Sequence, residues 1–106
     1  LGVRPETLAR RGAVHEETAR EMAAGARRLA GSDYALSTSG IAGPGGGTPE
    51  KPVGTVCIGL AAPEGLFAYR FLFTYGRRGM NKQVFAMQAL ELLRRELLKL
   101  PHTGDA

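Results

Sequence analysis

No internal disulfide can form in this chain, because Cys57 is its only cysteine. Its neighbours in "GTVCIGLAA" mark it as a small buried hydrophobe, not an exposed thiolate. Histidine is almost as scarce: His15 stands at a helix start and His102 in the tail. No grouping of His, Cys, Asp and Glu has metal-ligand spacing, so neither a metal nor another cofactor is expected. No apolar run approaches the roughly 20 residues of a membrane span, and the first residues lack the basic-then-apolar order of a signal peptide. A cytoplasmic protein without a membrane partner is the expectation. Internal repeats are absent, and compositional bias is confined to one glycine-rich stretch.

What is present suits a globular unit. The 106 residues are 43% hydrophobic and 23% charged, enough for one domain over residues 1–106 and too short for two. The opening "LGVRPETLARRGAVHEE" reads as the interior of a longer sequence, so a fragment is expected. A net charge of +4 and a pI near 9.7 invite a nucleic-acid reading. The basic residues, however, fall in separated doublets: Arg10-Arg11, Arg27-Arg28, Arg77-Arg78 and Arg94-Arg95. Such doublets usually form solvated helix faces, and no nucleic-acid motif accompanies them. Only Arg77-Arg78, between Gly76 and Gly79 at a helix entrance, is placed to contact an anion.

Helical spacing runs from His15 to Ala30, with Ala19, Met22, Ala23, Ala26, Leu29 and Ala30 on one stripe, an acidic first turn and a basic last turn. "YALST" reads as a short buried strand. "VGTVCIGLAAP" and "LFAYRFLFTY" read as two strands of an antiparallel hairpin, with Pro63 and Gly65 at the turn. A second helix, "NKQVFAMQALELLRRELLKL", presents Ala86, Ala89, Leu90, Leu93, Leu97 and Leu100, and Pro101 stops it. The tail "PHTGDA" is expected to fray. Helix, strand, loop, strand, strand, helix asks for a layered α/β domain. Val56, Ile58, Leu60, Leu90 and Leu93 are its expected core.

Between the first two strands lies "SGIAGPGGGTPEKPVGTV", far more glycine and proline than chain reversal needs. It fails the phosphate-loop pattern, since Lys51 follows Glu50 and precedes Pro52, and no glycine register fits the dinucleotide fingerprint. Glycines can still bring backbone close to a ligand and aim consecutive N–H groups at an anion, while Pro44, Pro49 and Pro52 stiffen the loop. Ser37, Thr38 and Ser39 at the strand end could meet a substrate or bond backbone. No activated nucleophile is evident.

That stretch resembles the signature of the CinA C-terminal family, the nicotinamide-nucleotide amidases. "GAVHEETAREMAAGARRLAGSDYALS" before it and "GRRGMNKQVFAMQALELLRREL" after it are similar to the flanking segments of the family, so the resemblance covers about Leu1 to Leu98. It implies a layered α/β/α domain with a mixed sheet, incomplete at its N-terminus, and metal-free hydrolysis of the amide of nicotinamide mononucleotide. The family's nucleophilic Ser-Cys-Thr-Gly-Gly motif and its following Tyr and Lys have no match here, so catalytic residues are expected outside this sequence. The binding half carries over: Ser39, Gly40, Ile41, Ala42, Gly43, Pro44, Gly45, Gly46 and Gly47 match the signature, with Ser39 where the family usually has Thr. Arg78 matches the Arg of the family's Gly-Asp-Arg segment, although Arg77 replaces its Asp. A small-molecule substrate is the implied partner, and an exposed sheet edge makes a homo-oligomer plausible. The competing expectation is a non-catalytic nucleotide- or protein-binding module of a competence- or damage-inducible protein.

Overall fold

The computed structural model describes residues 2–43, 45–73 and 78–103, with the side chains at 78 and 79 outside that description. Helix α1 (Pro5–Arg11) comes first and was not anticipated, although Pro5 at its first position, Glu6 in its first turn and Arg10 and Arg11 in its last are helix signals. Helix α2 (Glu16–Ala30) begins where expected. His15 is its N-cap, its Nδ1 accepting from the Glu17 amide at 3.0 Å, and left-handed Gly31 ends it.

Strands β1 (Ala35–Gly40), β2 (Thr55–Ala62) and β3 (Gly65–Leu72) form one sheet in that order, with both pairings antiparallel. Pro63 and Glu64 make the β2–β3 turn, since Ala62 pairs with Gly65. The sheet was expected to be mixed, and the described strands are not: successive strands without a crossover helix pair antiparallel.

Every residue of central β2 is buried, because its two faces meet different layers. On one face Gly59 lies against α2, where a Cβ would collide with the Ala19 carbonyl oxygen. Ser37, opposite Gly59, donates from Oγ to that same carbonyl at 2.5 Å. On the other face Val56, Ile58 and Leu60 form the core cluster with Phe85, Ala89 and Leu92 of helix α3 (Arg78–Leu97). The result is a three-layer arrangement, α2 and α3 enclosing the sheet.

Two expectations about α3 need correction. Leu92 is fully buried, whereas Leu90 is 62% exposed and Leu93 only packs against the cluster. The buried stripe is Asn81, Phe85, Ala89 and Leu92, about 100° from the one read in sequence. Val84, Met87 and Leu90 put apolar groups on several sides of this helix, so periodicity leaves its orientation open and packing on β2 settles it. Leu29 of α2, assigned to the apolar stripe, is 80% exposed. The helix ends at Leu97, and Lys99 turns the chain back with φ 59°.

The tail is also not frayed at His102. Its ring packs edge-on against Phe67 and Tyr69, its Nδ1 lies 2.6 Å from Tyr69 Oη, and its Nε2 lies 2.6 Å from Glu96 Oε1. Phe67, Tyr69 and Phe71 line the α3 side of edge strand β3, Phe73 follows just beyond it, and all four are only partly buried.

Candidate ligand cleft at the glycine loop

The glycine loop leaves β1 at Gly40 and returns at Thr55. Backbone pairing carries one step past the strand, with the Ile41 amide donating to the Thr55 carbonyl and the Gly54 amide to the Ile41 carbonyl. Beyond this the amides of Ala42, Gly43, Gly45, Gly46 and Gly47 make no hydrogen bond among the described residues. Gly43 and Gly46 have φ of 86° and 94°, conformations that L side chains rarely adopt.

Two side chains tie this segment to its surroundings, one from the loop and one from α3. Lys51 Nζ donates to the Arg11 carbonyl at 2.8 Å, at the C-terminal end of α1. Asn81 Nδ2 donates to the Ala42 carbonyl at 2.9 Å. Between them opens a cleft of about 380 Å³, walled by Gly40, Ile41, Ala42, Gly43, Gly45 and Gly46, with Lys82 and Phe85 of α3 opposite. Lys82 and Phe85 are the fifth and eighth residues of α3, so the charge there comes from the Lys82 ammonium. Unengaged N–H groups beside an ammonium suit an anionic group such as phosphate.

The structure brings Gly40, Ile41, Ala42, Gly43, Gly45 and Gly46 together and separates Ser39 from them. Ser39 points to the α2 side of the sheet, donating from Oγ to the Ala13 carbonyl at 2.5 Å. Gly47 packs against Val53 and Pro52 and is not part of the cleft wall. Pro44 and Arg77 lie outside the described residues, as does the side chain of Arg78, whose backbone begins α3. Lys82 was missed in the sequence because it reads as one more polar residue on a helix. Asn81 was missed too, although a polar residue four before Phe85 is a visible signal.

Behind Ser39 on the same face sits an ionic cluster. Glu16 Oε1 accepts from Arg70 Nη2 at 2.7 Å and lies 4.0 Å from Cys57 Sγ. Burial alone would raise the Glu16 carboxyl, but its own backbone amide and the Arg70 guanidinium outweigh it and hold the group below the usual carboxylate range. Burial pushes the Cys57 thiol up, which suits an inert residue. The Tyr69, His102 and Glu96 trio has the outline of a nucleophile and base, yet burial and then Glu96 push the Tyr69 phenol up. That opposes ionisation, and the trio anchors the chain end. A larger cavity of about 580 Å³ lies at the opposite end of the sheet, between Arg27, Arg28 and the β2–β3 turn.

These features define a layered α/β domain whose glycine loop and α3 enclose a cleft lined by backbone and one lysine. The family profile of the CinA C-terminal domain matches residues 1–97, and the chain belongs to that family. It is 59% identical over 98 residues to a CinA-like protein of Desulfosudis oleivorans, covering 92% of this chain and 24% of that protein. It is 52% identical over 105 residues to a CinA-like protein of Shewanella loihica, covering 99% and 25%. Among solved structures it is similar to the competence/damage inducible protein CihA of Agrobacterium tumefaciens, with TM-score 0.83 and 39% identity over 88% of this chain and 57% of that one. The competence damage-inducible protein A (ComA) of Klebsiella pneumoniae gives TM-score 0.84 and 36% identity, covering 91% and 59%. The chain thus spans about a quarter of the length of the curated relatives it matches.

Proposed function

We propose that this chain is the substrate-holding part of a CinA-type amidase that hydrolyses the amide of nicotinamide mononucleotide to nicotinic acid mononucleotide and ammonia. The observation that carries the reading is the cleft itself: the segment matching the family signature forms a wall facing Lys82 in which the Ala42, Gly43, Gly45 and Gly46 amides have no partner among the described residues. The 5′-phosphate of a mononucleotide is the group such a wall would accept, with Lys82 supplying charge and Phe85 an apolar floor. Arg78, at the entrance of α3, is assigned to the same anion. Ser39 supports the loop from behind through the Ala13 carbonyl. The nucleophile belongs to the family's serine motif, which no stretch of these 106 residues matches. In this reading residues 1–106 form the C-terminal part of one amidase domain.

Ammonia release from nicotinamide mononucleotide tests the proposal, using a longer protein that carries both the serine motif and this chain. Release that disappears when Lys82 and Arg78 are both replaced by Met supports it. No release from the longer protein defeats it. The absence of a nucleophile paired with an available base among the described residues favours a second reading, a nucleotide-binding module without catalysis. In that case the mononucleotide binds and is returned unchanged.

A further inference from the structure

Asn81 occupies a core position with a polar side chain. It heads the stripe continued by Phe85, Ala89 and Leu92, and no part of it reaches solvent. Its Oδ1 is buried without a hydrogen-bond partner among the described residues. Buried polar atoms are nearly always paired, because an unpaired one forfeits its hydration for nothing in return. An apolar side chain would continue the stripe without that cost. What it could not supply is the N–H that Nδ2 directs at the Ala42 carbonyl.

That one bond has an uncommon position. The backbone ladder stops at Ile41, and the next anchor along the loop is the Thr48 amide on the Lys51 carbonyl. Asn81 therefore grips the loop where the free amides begin, and Lys82, the charged group across the cleft, is the next residue on its own helix. We infer that Asn81 is a positioning residue, holding the Ala42 carbonyl so that the backbone at Gly43, Gly45 and Gly46 keeps a fixed distance from Lys82, at a cost in folding stability. The binding half of this inference rests on the proposed reading of the cleft. The loop-ordering half stands without it.

The test uses the whole chain, with Asn81→Leu and Asn81→Asp, and reads three quantities: melting temperature, amide hydrogen exchange, and affinity for inorganic phosphate at fixed pH and salt. Asn81→Leu is expected to melt at or above the wild-type temperature while exchange of the hydrogen-bonded loop amides Ile41, Thr48 and Gly54 speeds about tenfold and phosphate binds about tenfold more weakly, the equivalent of ~1.4 kcal/mol. Amides of Ile58 and Leu60 should keep their protection.

Asn81→Asp supplies a control that a purely structural residue would not pass. A buried carboxyl is protonated well above its ordinary range and then donates to the Ala42 carbonyl. Lys82 is the charged neighbour on the helix, and the facing loop residues Gly40 to Gly43 carry no titratable side chain. Measured against wild type at each pH, loop protection should therefore be near normal at pH 5 and lost at pH 8. Should wild type bind no phosphate, the anion reading fails and exchange alone decides the matter. Loop exchange within twofold of wild type in Asn81→Leu would overturn the inference. Equal loss of protection in loop and β2 in both variants would overturn it as well, since Asn81 would then hold the core in general.

Discussion

At the scale of single residues, position in the loop matters more than composition. Gly46 has φ 94° and Gly45 does not share that conformation, with nothing within 4 Å of where its Cβ would stand. The sequence could not separate the two, because glycine is written identically whether or not its freedom is used. Gly46→Val is expected to weaken phosphate binding about tenfold with a small loss of stability, whereas Gly45→Val leaves binding within about twofold; titration of both variants checks this.

Glu16 gives a residue-scale prediction in pH. Its folded carboxyl titrates below the ordinary value of 4.5, so the stability it contributes is present above that value and is lost as pH falls through the lowered one. The melting-temperature advantage of wild type over Glu16→Gln should be constant from pH 8 to about 5 and shrink between about 5 and 3. An advantage that grows on acidification would contradict the Arg70 pairing.

At the scale of elements, the sequence placed α2 and all three strands and missed α1, which has only 7 residues. A helix so short is held by packing and by bonds such as Thr7 Oγ1 to Glu21 Oε2 at 2.7 Å, and these lie 14 residues apart in the chain. Helix α3 was located correctly and rotated wrongly. Leu92→Ala is expected to cost about 2–5 kcal/mol and Leu90→Ala under about 0.5, a contrast that urea unfolding of the two variants measures. Reversed costs would restore the orientation read from sequence. Arg94 and Arg95, read as part of a solvated helix face, are both occupied by Glu91, whose carboxyl they lower to about 2.

At the scale of the molecule, the sheet works as a partition. Its α2 face is tied by polar bonds, Ser37 to Ala19 and Arg70 to Glu16, and its α3 face by the apolar cluster around Ile58 and Leu92. Groups separated by a sheet share no partner, so Ser37→Ala combined with Leu92→Ala should destabilise by the sum of the single effects within about 0.5 kcal/mol. A larger departure in a double-mutant cycle would show the two faces coupled.

The sequence by itself determined the layered α/β class, the antiparallel pairing of β2 with β3, and the loop that would form the candidate site. Those features rest on local period and turn chemistry, which neighbouring residues carry in full. Only the tertiary structure decided which side of α3 is buried, that Ser39 faces α2 and not the cleft, and that His102 is anchored instead of free. It also set Lys82 and Asn81 against the loop. Each depends on contacts between residues distant in the chain, where several apolar faces or polar partners compete and packing against the sheet selects one.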